Sequence, residues 1–356
     1  MAAIHIFKTT VIFWTINMKT IYALCDYQGR FGSKYFGEPY KSGMDKEILK
    51  KAILDSGYNL HYRYFTDIKF IDTFKNQFVI YTSQEDPGYY YKSFIEDIVY
   101  NLEMHGAITI PSYKFLRANN NKVMMELLRK LYLPEMYQLQ VMCFGTYEEL
   151  KREINNIPLP CVLKLSEGAG SKSVFFASSE AELLGKVKNV ARTPYFKEEI
   201  RDILRLVKYK GYKRKSLYRK KFIVQEFIPD LSNDWKVLVF WDKYYVLRRK
   251  NRPNDFRASG SGLFSFDETV DPKLLDAAKE IKQIFDVPMI SLDLAISENR
   301  VVLIEFQFLY FGTSTLEKSP YYYINNNGNW EKILEKSSLE DIYSHSIVSY
   351  IEEKYK

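Results

Sequence analysis

Ser291-Leu292-Asp293-Leu294-Ala295-Ile296 and, beyond a turn at Ser297–Arg300, Val301-Val302-Leu303-Ile304-Glu305-Phe306-Gln307 decide the reading of this chain. Both runs are apolar strands into which oxygen-bearing side chains are set. Alternation along the second strand puts Glu305 and Gln307 on one face. Asp293 lies on the preceding strand, twelve residues before Glu305 and within pairing reach across the hairpin. Three oxygen donors on one face, completed by water and phosphate, are how proteins hold magnesium. Taken alone, the same residues would serve equally as a solvent-facing acidic patch on a sheet.

Upstream, Val162-Leu163-Lys164-Leu165 runs into Ser166-Glu167-Gly168-Ala169-Gly170-Ser171. A lysine inside an apolar strand is costly unless it meets negative charge. A phosphate is a natural partner for its compact ammonium, although an edge-strand lysine pointing to water would look the same. Small residues after the strand let backbone N–H groups approach an anion. Read with the acidic hairpin, the strand and loop point to ATP with magnesium, used to activate a carboxylate.

Two further clusters lie between them. Gln225-Glu226-Phe227-Ile228-Pro229, followed by Asp234, suits a hinge whose backbone reads an adenine edge while a carboxylate holds ribose hydroxyls. In isolation it is a strand entering a turn. Arg248-Arg249, Asn251 and Asn254-Asp255-Phe256-Arg257-Ala258-Ser259-Gly260-Ser261-Gly262 form a polar loop. Arg249 and Arg257 would stabilise charge on a transferring phosphoryl group; the plain alternative is a flexible loop with surface arginines.

The chain has 356 residues, enough for two or three lobes, and its 46% apolar and 27% charged residues are globular values. Periodicity assigns an α/β architecture made of α+β lobes. Residues 18–111 read as a small α/β lobe with strands at Ile21–Cys25 and Asn76–Tyr81 and helices at Lys46–Ser56 and Tyr91–His105. Residues 112–227 read as a second lobe, entered through Asn119-Asn120-Asn121 and a helix from Lys122. Residues 228–356 read as a third, with a hairpin around Asp242-Lys243, the acidic hairpin and a closing helix at Leu339–Lys354. Ligands of open α/β sheets gather at the carboxyl ends of strands. That places Tyr27, Arg30, Gln84 and Glu85, with Asn251 from the arginine loop, as substrate-contacting candidates.

Charge and cysteines narrow the class. The net charge of +7 is concentrated in residues 201–221, which carry ten Lys and Arg against Asp202. The remainder is slightly acidic, so a generally basic, nucleic-acid-binding protein is not indicated. The segment reads as a solvated excursion between two strands, or alternatively as a module for nucleic acid, a polyanionic carrier or an anionic membrane. Cys25, Cys143 and Cys161 are odd in number and far apart, which suits a reducing, cytoplasmic setting. Val11–Ile16 is too short an apolar run to span a bilayer. Residues 1–17 look foreign to the fold, and Met18 reads as the natural start.

The order of these pieces resembles the ATP-grasp superfamily, over about residues 115–312, and most of all the branch containing the ligase that adds glutamate to a ribosomal protein. Lys164-Leu165-Ser166-Glu167-Gly168 is similar to that branch's strand and loop, and Lys122 falls at the first phosphate lysine. Gln225, Glu226, Phe227 and Ile228 match the adenine hinge, and Asp234 the ribose turn. Arg249 and Arg257 keep the arginine spacing, while Asp293, Glu305 and Gln307 fall at the metal positions. Two departures stand out: Gln307 occupies a position usually held by Asn, and the loop has fewer glycines, with Lys172 as an added cation.

The resemblance implies an ATP-grasp fold behind a Rossmann-like N-terminal domain. It also implies ATP with two magnesium ions (manganese as a substitute), and an acylphosphate formed from a small carboxylate and captured by an amine. Phosphorylation without the second step, a kinase, is the enzymatic alternative. Residues 18–110 bear a fainter similarity to uncharacterised ATP-grasp proteins of bacterial surface-polysaccharide loci, implying a sugar acid, amino acid or peptide as substrate.

Overall fold

The structure, a computed structural model, describes residues 19–168, 173–252, 257, 262–266 and 269–356. The expectations for residues 1–17 and Met18, for Ala169, Gly170, Ser171 and Lys172, and for Asp255 and Phe256 lie outside the described residues.

The first sheet is parallel, in the order β2-β1-β3-β4, with β1 (Thr20–Cys25), β2 (Asn59–Tyr64), β3 (Phe78–Tyr81) and β4 (Ile108–Ile110). Helix α1 (Lys46–Asp55) starts on Asp45, whose carboxylate accepts from the Glu47 and Ile48 N–H groups. Helix α2 (Tyr90–Met104) follows β3. This is the Rossmann-like arrangement expected of residues 18–111. Strands β2 and β4 were not legible: β2 is an edge strand with His61, Arg63 and Tyr64 exposed, and β4 has three residues.

Two short helices, α3 (Tyr113–Ala118) and α4 (Lys122–Tyr132), lead to an antiparallel sheet in the order β5-β8-β6-β7. Its strands are β5 (Val141–Phe144), β6 (Cys161–Leu165), β7 (Val174–Ala177) and β8 (Phe222–Glu226). Helices α5 (Tyr147–Arg152) and α6 (Glu180–Val190) cover one face, burying Leu150, Leu163, Leu183, Val187, Phe222 and Val224 together. Helix α7 (Phe196–Lys208) precedes β8. The other face, carrying Val162, Lys164, Ile223 and Gln225, is turned away from that core.

The third sheet is antiparallel, in the order β13-β12-β9-β10-β14-β15. It comprises β9 (Asn233–Phe240), β10 (Lys243–Lys250), β11 (Phe264–Ser265, paired to β10), β12 (Met289–Ser297), β13 (Arg300–Gln307), β14 (Tyr322–Asn326) and β15 (Asn329–Ile333). Helix α8 (Pro272–Phe285) packs on one face, sharing a core with Val237, Val239, Ile290, Leu292, Leu294 and Phe306. Each such aliphatic side chain contributes about 1.5–3 kcal/mol by burial. The chain ends with α9 (Ser314–Lys318) and α10 (Leu339–Tyr355).

Two packings differ from what the sequence order suggests. Helix α10, read as part of the third lobe, packs on α1, and Leu49, Ile53, Ile347 and Ile351 share one core. Residues of α3 and α4, grouped with the second lobe, bury Phe115, Leu116, Met125 and Leu128 in the core built on α8. Among the described residues, β5–β8 with α5 and α6 share a core separate from the other two.

Candidate active site

Register builds the first wall of the site. Asp293 on β12 pairs with Lys236 on β9 and with Glu305 on β13, so the three side chains form one row across the sheet. Gln307 pairs with Ser291, one step along the same face, and Arg249 on β10 pairs with Asp234 on β9. The neighbouring positions Leu292, Leu294 and Phe306 point into the α8 core. The alternation read from the sequence therefore puts Asp293, Glu305 and Gln307 on one face.

The charges on this face are already engaged. Arg249 donates from Nε and Nη2 to the two Asp234 oxygens at 2.6 and 2.8 Å. Its Nη2 also lies 2.9 Å from Asp293 Oδ2, and Lys236 Nζ is 3.3 Å from Asp293 Oδ1. Burial pushes the Asp234 carboxyl up to about 6, against the pull of Arg249. At Asp293 burial acts in the same direction, but Arg249 and Lys236 outweigh it and hold the carboxyl at about 2. Asp234, expected to hold ribose, thus has both oxygens on Arg249, because register sets the two side by side. Arg249, expected to face a phosphoryl group, is a latch between the Asp234 and Asp293 carboxylates.

The second wall comes from β6 and α4. Lys164 is buried, and among the described residues no carboxylate lies within ion-pair distance of it. Burial lowers its pKa, opposed by the charges of Glu305 and Glu126. Lys122, also buried, opens α4 and places Nζ 3.5 Å from Glu305 Oε1 and 3.2 Å from the Gly168 carbonyl. The helix start is stitched to the loop after β6: Lys122 N–H donates to the Ser166 carbonyl at 2.9 Å, and Ser166 Oγ donates to Asn121 Oδ1 at 2.9 Å. Gly168 has φ +116°, and a Cβ there would stand 2.7 Å from Ser173 Oγ, so the loop requires glycine. Its N–H donates to the Tyr89 hydroxyl at 3.2 Å.

Other expected residues are placed less evenly. Among the described residues Gln225 Oε1, buried on the open face of β8, has no hydrogen-bond partner. Glu226 accepts from Gln140 N–H at 3.1 Å, and Phe227 N–H donates to the Pro160 carbonyl at 3.3 Å. Among the described residues Ile228 N–H makes no hydrogen bond. Arg257 donates to the carbonyl of Val174, on β7 of the second sheet, at 3.4 Å. Glu167 is half-exposed and faces Lys221 at 3.8 Å. Asn251 closes the hinge turn, donating from Nδ2 to the Leu231 carbonyl at 2.6 Å.

In the first lobe a cavity of about 440 Å³ opens beyond β1 and β3, lined by Asp26, Arg30, Lys34, Gln84, Glu85 and Tyr310 among others. Arg30, Gln84 and Glu85 are thus brought together. Tyr27 is not in the lining; its exposed ring meets Tyr91 edge-on at 5.0 Å. Asn120 donates to Glu85, and burial raises the Glu85 carboxyl despite Asn120 and the nearby Lys122. The cavity therefore adjoins the Lys122–Glu305 pair. The loop forming its rim is held by the third lobe: Glu317 accepts from Tyr35 and Phe36 N–H at 2.7 and 2.9 Å, and Glu340 binds Lys34 at 2.7 Å.

Arg129 went unrecognised in the sequence. It is 1% exposed, pairs with Glu126 at 2.8 Å, and donates to the carbonyls of Tyr137, Leu303 and Ile304 at 3.0, 2.7 and 3.3 Å. Ile304 is the residue that the β12–β13 register skips, between Leu303 and Glu305. The only signal was Glu126-x-x-Arg129 on an apolar helix face.

Among the described residues no group of three or more His, Cys, Asp and Glu is placed to hold a metal ion. The candidate set here is two carboxylates and an amide. These are hard oxygen donors that suit magnesium, and in this structure Lys236, Arg249 and Lys122 occupy the cationic positions beside the two carboxylates.

No family profile and no curated protein matches the chain. Solved structures do. D-alanine-D-alanine ligase from Bacillus anthracis, complexed with ATP, aligns with 94% of this chain and 99% of its own at 12% identity and TM-score 0.52. D-cycloserine synthetase DcsG aligns over 93% and 99% at 10% identity and TM-score 0.51. N5-carboxyaminoimidazole synthetase from Staphylococcus aureus, complexed with ADP, aligns over 93% and 77% at 9% identity and TM-score 0.52. The fold of this chain is the ATP-grasp fold with a Rossmann-like N-terminal sheet.

Proposed function

We propose that this protein is an ATP-dependent ligase that activates a small carboxylate as an acylphosphate and joins it to an amine, releasing ADP and phosphate. The observation that carries the reading is the buried Lys164, without a carboxylate in ion-pair range among the described residues, beside the Lys122–Glu305 pair and the Lys236–Asp293–Glu305 row. Two buried ammonium groups beside a set of hard oxygen donors suit a nucleotide triphosphate with its metal. The solved ligases of the same fold support the class of reaction.

ATP would lie between the second and third sheets. The buried amide oxygen of Gln225 would accept from the adenine amino group, and the Glu226–Ile228 backbone would read the ring edge. Lys122 and Lys164 would bind phosphate oxygens. Asp293, Glu305 and Gln307 would hold magnesium, which when bound neutralises the phosphates. Arg249 would exchange carboxylate partners for the transferring group as the carboxylates take up the metal.

The substrate carboxylate, seated in the cavity with Arg30, attacks the γ-phosphorus as ADP leaves. The amine then attacks the acyl carbon and phosphate departs. Positioning and electrostatics supply the catalysis, so no histidine base is required. The mixed lining of Arg30, Lys34, Asp26 and Glu85 suits a substrate bearing both an acid and an amine.

The test is the thermal shift on adding Mg-ATP, in wild type and Glu305→Ala, followed by ADP release in an acid-by-amine screen. Ligand at about 100 times its dissociation constant adds roughly 2.7 kcal/mol, a shift of degrees in the midpoint. A magnesium-dependent shift in wild type that is absent from Glu305→Ala supports the site. An equal shift in both proteins refutes the assignment.

A further inference from the structure

Helix α7 turns its polar side to the protein and its apolar side to solvent. Asp202 is its buried residue, accepting from the Tyr212 hydroxyl and from Lys215 N–H at 2.8 Å. Glu199 faces Arg192 at 3.2 Å. On the opposite side Phe196, Ile200, Ile203, Leu204 and Val207 fall in one stripe at helical spacing, and they are 77, 43, 48, 62 and 83% exposed. Tyr195 and Tyr209, both exposed, mark the two ends of the helix. Lys197, Arg201 and Lys208 follow along one edge, and Lys210, Lys213, Arg214 and Lys215 extend the cationic run.

The base of this excursion is tied down. Thr193 N–H donates to the Leu217 carbonyl at 2.8 Å and Lys220 N–H to the Ala191 carbonyl at 3.2 Å. The stripe is therefore presented on a closed arm. A contiguous apolar surface of this kind marks a contact site.

We infer that α7 docks on an anionic membrane surface, its apolar stripe entering the interface and its lysines and arginines meeting lipid phosphates. An apolar face edged by Lys and Arg, with aromatic residues at the ends, is the pattern of helices that lie in the plane of a bilayer. Basic clusters add attraction to anionic lipid. Charge argues against the other occupants. A second copy joined stripe to stripe would oppose two segments, 196–221, that each carry eleven Lys and Arg against Glu198, Glu199 and a buried Asp202. A nucleic acid would satisfy the charge but leave the stripe in water. The inference stands apart from the ligase reading and uses none of its residues.

The test is flotation of the full chain with vesicles of phosphatidylcholine containing phosphatidylglycerol, against phosphatidylcholine alone. Wild type should float with the anionic vesicles only, and less at high salt. Val207→Asp and Leu204→Asp, each at an exposed position and so compatible with folding, should each reduce partitioning about tenfold or more. Arg201→Gln with Lys208→Gln should weaken binding and its salt dependence. Failure of wild type to bind anionic vesicles, or binding unchanged in both aspartate variants, overturns the inference. A dimer in sedimentation that Val207→Asp dissociates, without vesicle binding, assigns the stripe to a second copy. Retention on RNA without vesicle binding assigns the basic run to nucleic acid.

Discussion

Replacing Arg129 with methionine tests the part of the site that the sequence hid. The guanidinium is 1% exposed and makes an ion pair to Glu126, itself buried, along with three bonds to main-chain carbonyls. Methionine nearly fills the volume, so the cavity term is small and the loss is electrostatic. Removing one partner of a buried pair costs about 3–5 kcal/mol, because the other charge is left in a poorly solvating interior. Carbonyls that lose a donor add roughly 1 kcal/mol each, less where they relax. The sum, on the order of 4–7 kcal/mol, is a large fraction of the roughly 5–15 kcal/mol that holds a typical protein folded.

Urea unfolding of the single variant should show this loss. In the double variant Glu126→Leu with Arg129→Met no orphan charge remains, so about half the loss should return. Because the Leu303 and Ile304 carbonyls precede Glu305, the single variant should also lose much of the Mg-ATP thermal shift. Unfolding within about 1 kcal/mol of wild type, or a double variant no better than the single, would refute the argument that Arg129 holds the strand carrying Glu305.

Lys164→Met should separate stability from function. It removes a buried ammonium whose charged form is disfavoured, so the nucleotide-free protein should gain on the order of 1 kcal/mol while the ATP shift disappears. Gly168→Ala should cost roughly 1 kcal/mol or more, since φ +116° is unfavourable to any side chain and Ser173 Oγ blocks the Cβ; unfolding at the wild-type midpoint would contradict this. Asp293 titrates at about 2, below its ordinary 3.8. Its stabilising contribution is complete above the unfolded value and is lost as pH falls through about 2. Asp293→Asn should therefore lose stability less steeply than wild type between about pH 4 and 2, and an unchanged acid limb would count against the Arg249–Lys236 clamp. Asn251→Ala should loosen the hinge turn and weaken nucleotide binding without altering the choice of carboxylate, measured as KM values across an acid series.

The sequence by itself determined the features that depend on neighbours along the chain. Period-two alternation set Glu305 and Gln307 on one face. A short turn fixed the hairpin that brings Asp293 opposite Glu305. Asn121 announced the helix that begins at Lys122. Local sterics and hydrogen bonding act over a few residues, so their pattern is written there.

The tertiary structure decided partnerships between distant segments. Arg249 clamps Asp234 and Asp293 because β9 lies between β10 and β12, an order that no local pattern specifies. Arg129 reaches β13 from 174 residues away. The cavity with Arg30 and Glu85 takes its rim from α9 and α10. Helix α7 is the plainest case. The spacing of Phe196, Ile200, Ile203 and Val207 makes a helix amphipathic, but whether its apolar side is buried depends on what the rest of the chain leaves beside it. Here Tyr212 and Lys215 claim the Asp202 side, and the apolar stripe is left facing out.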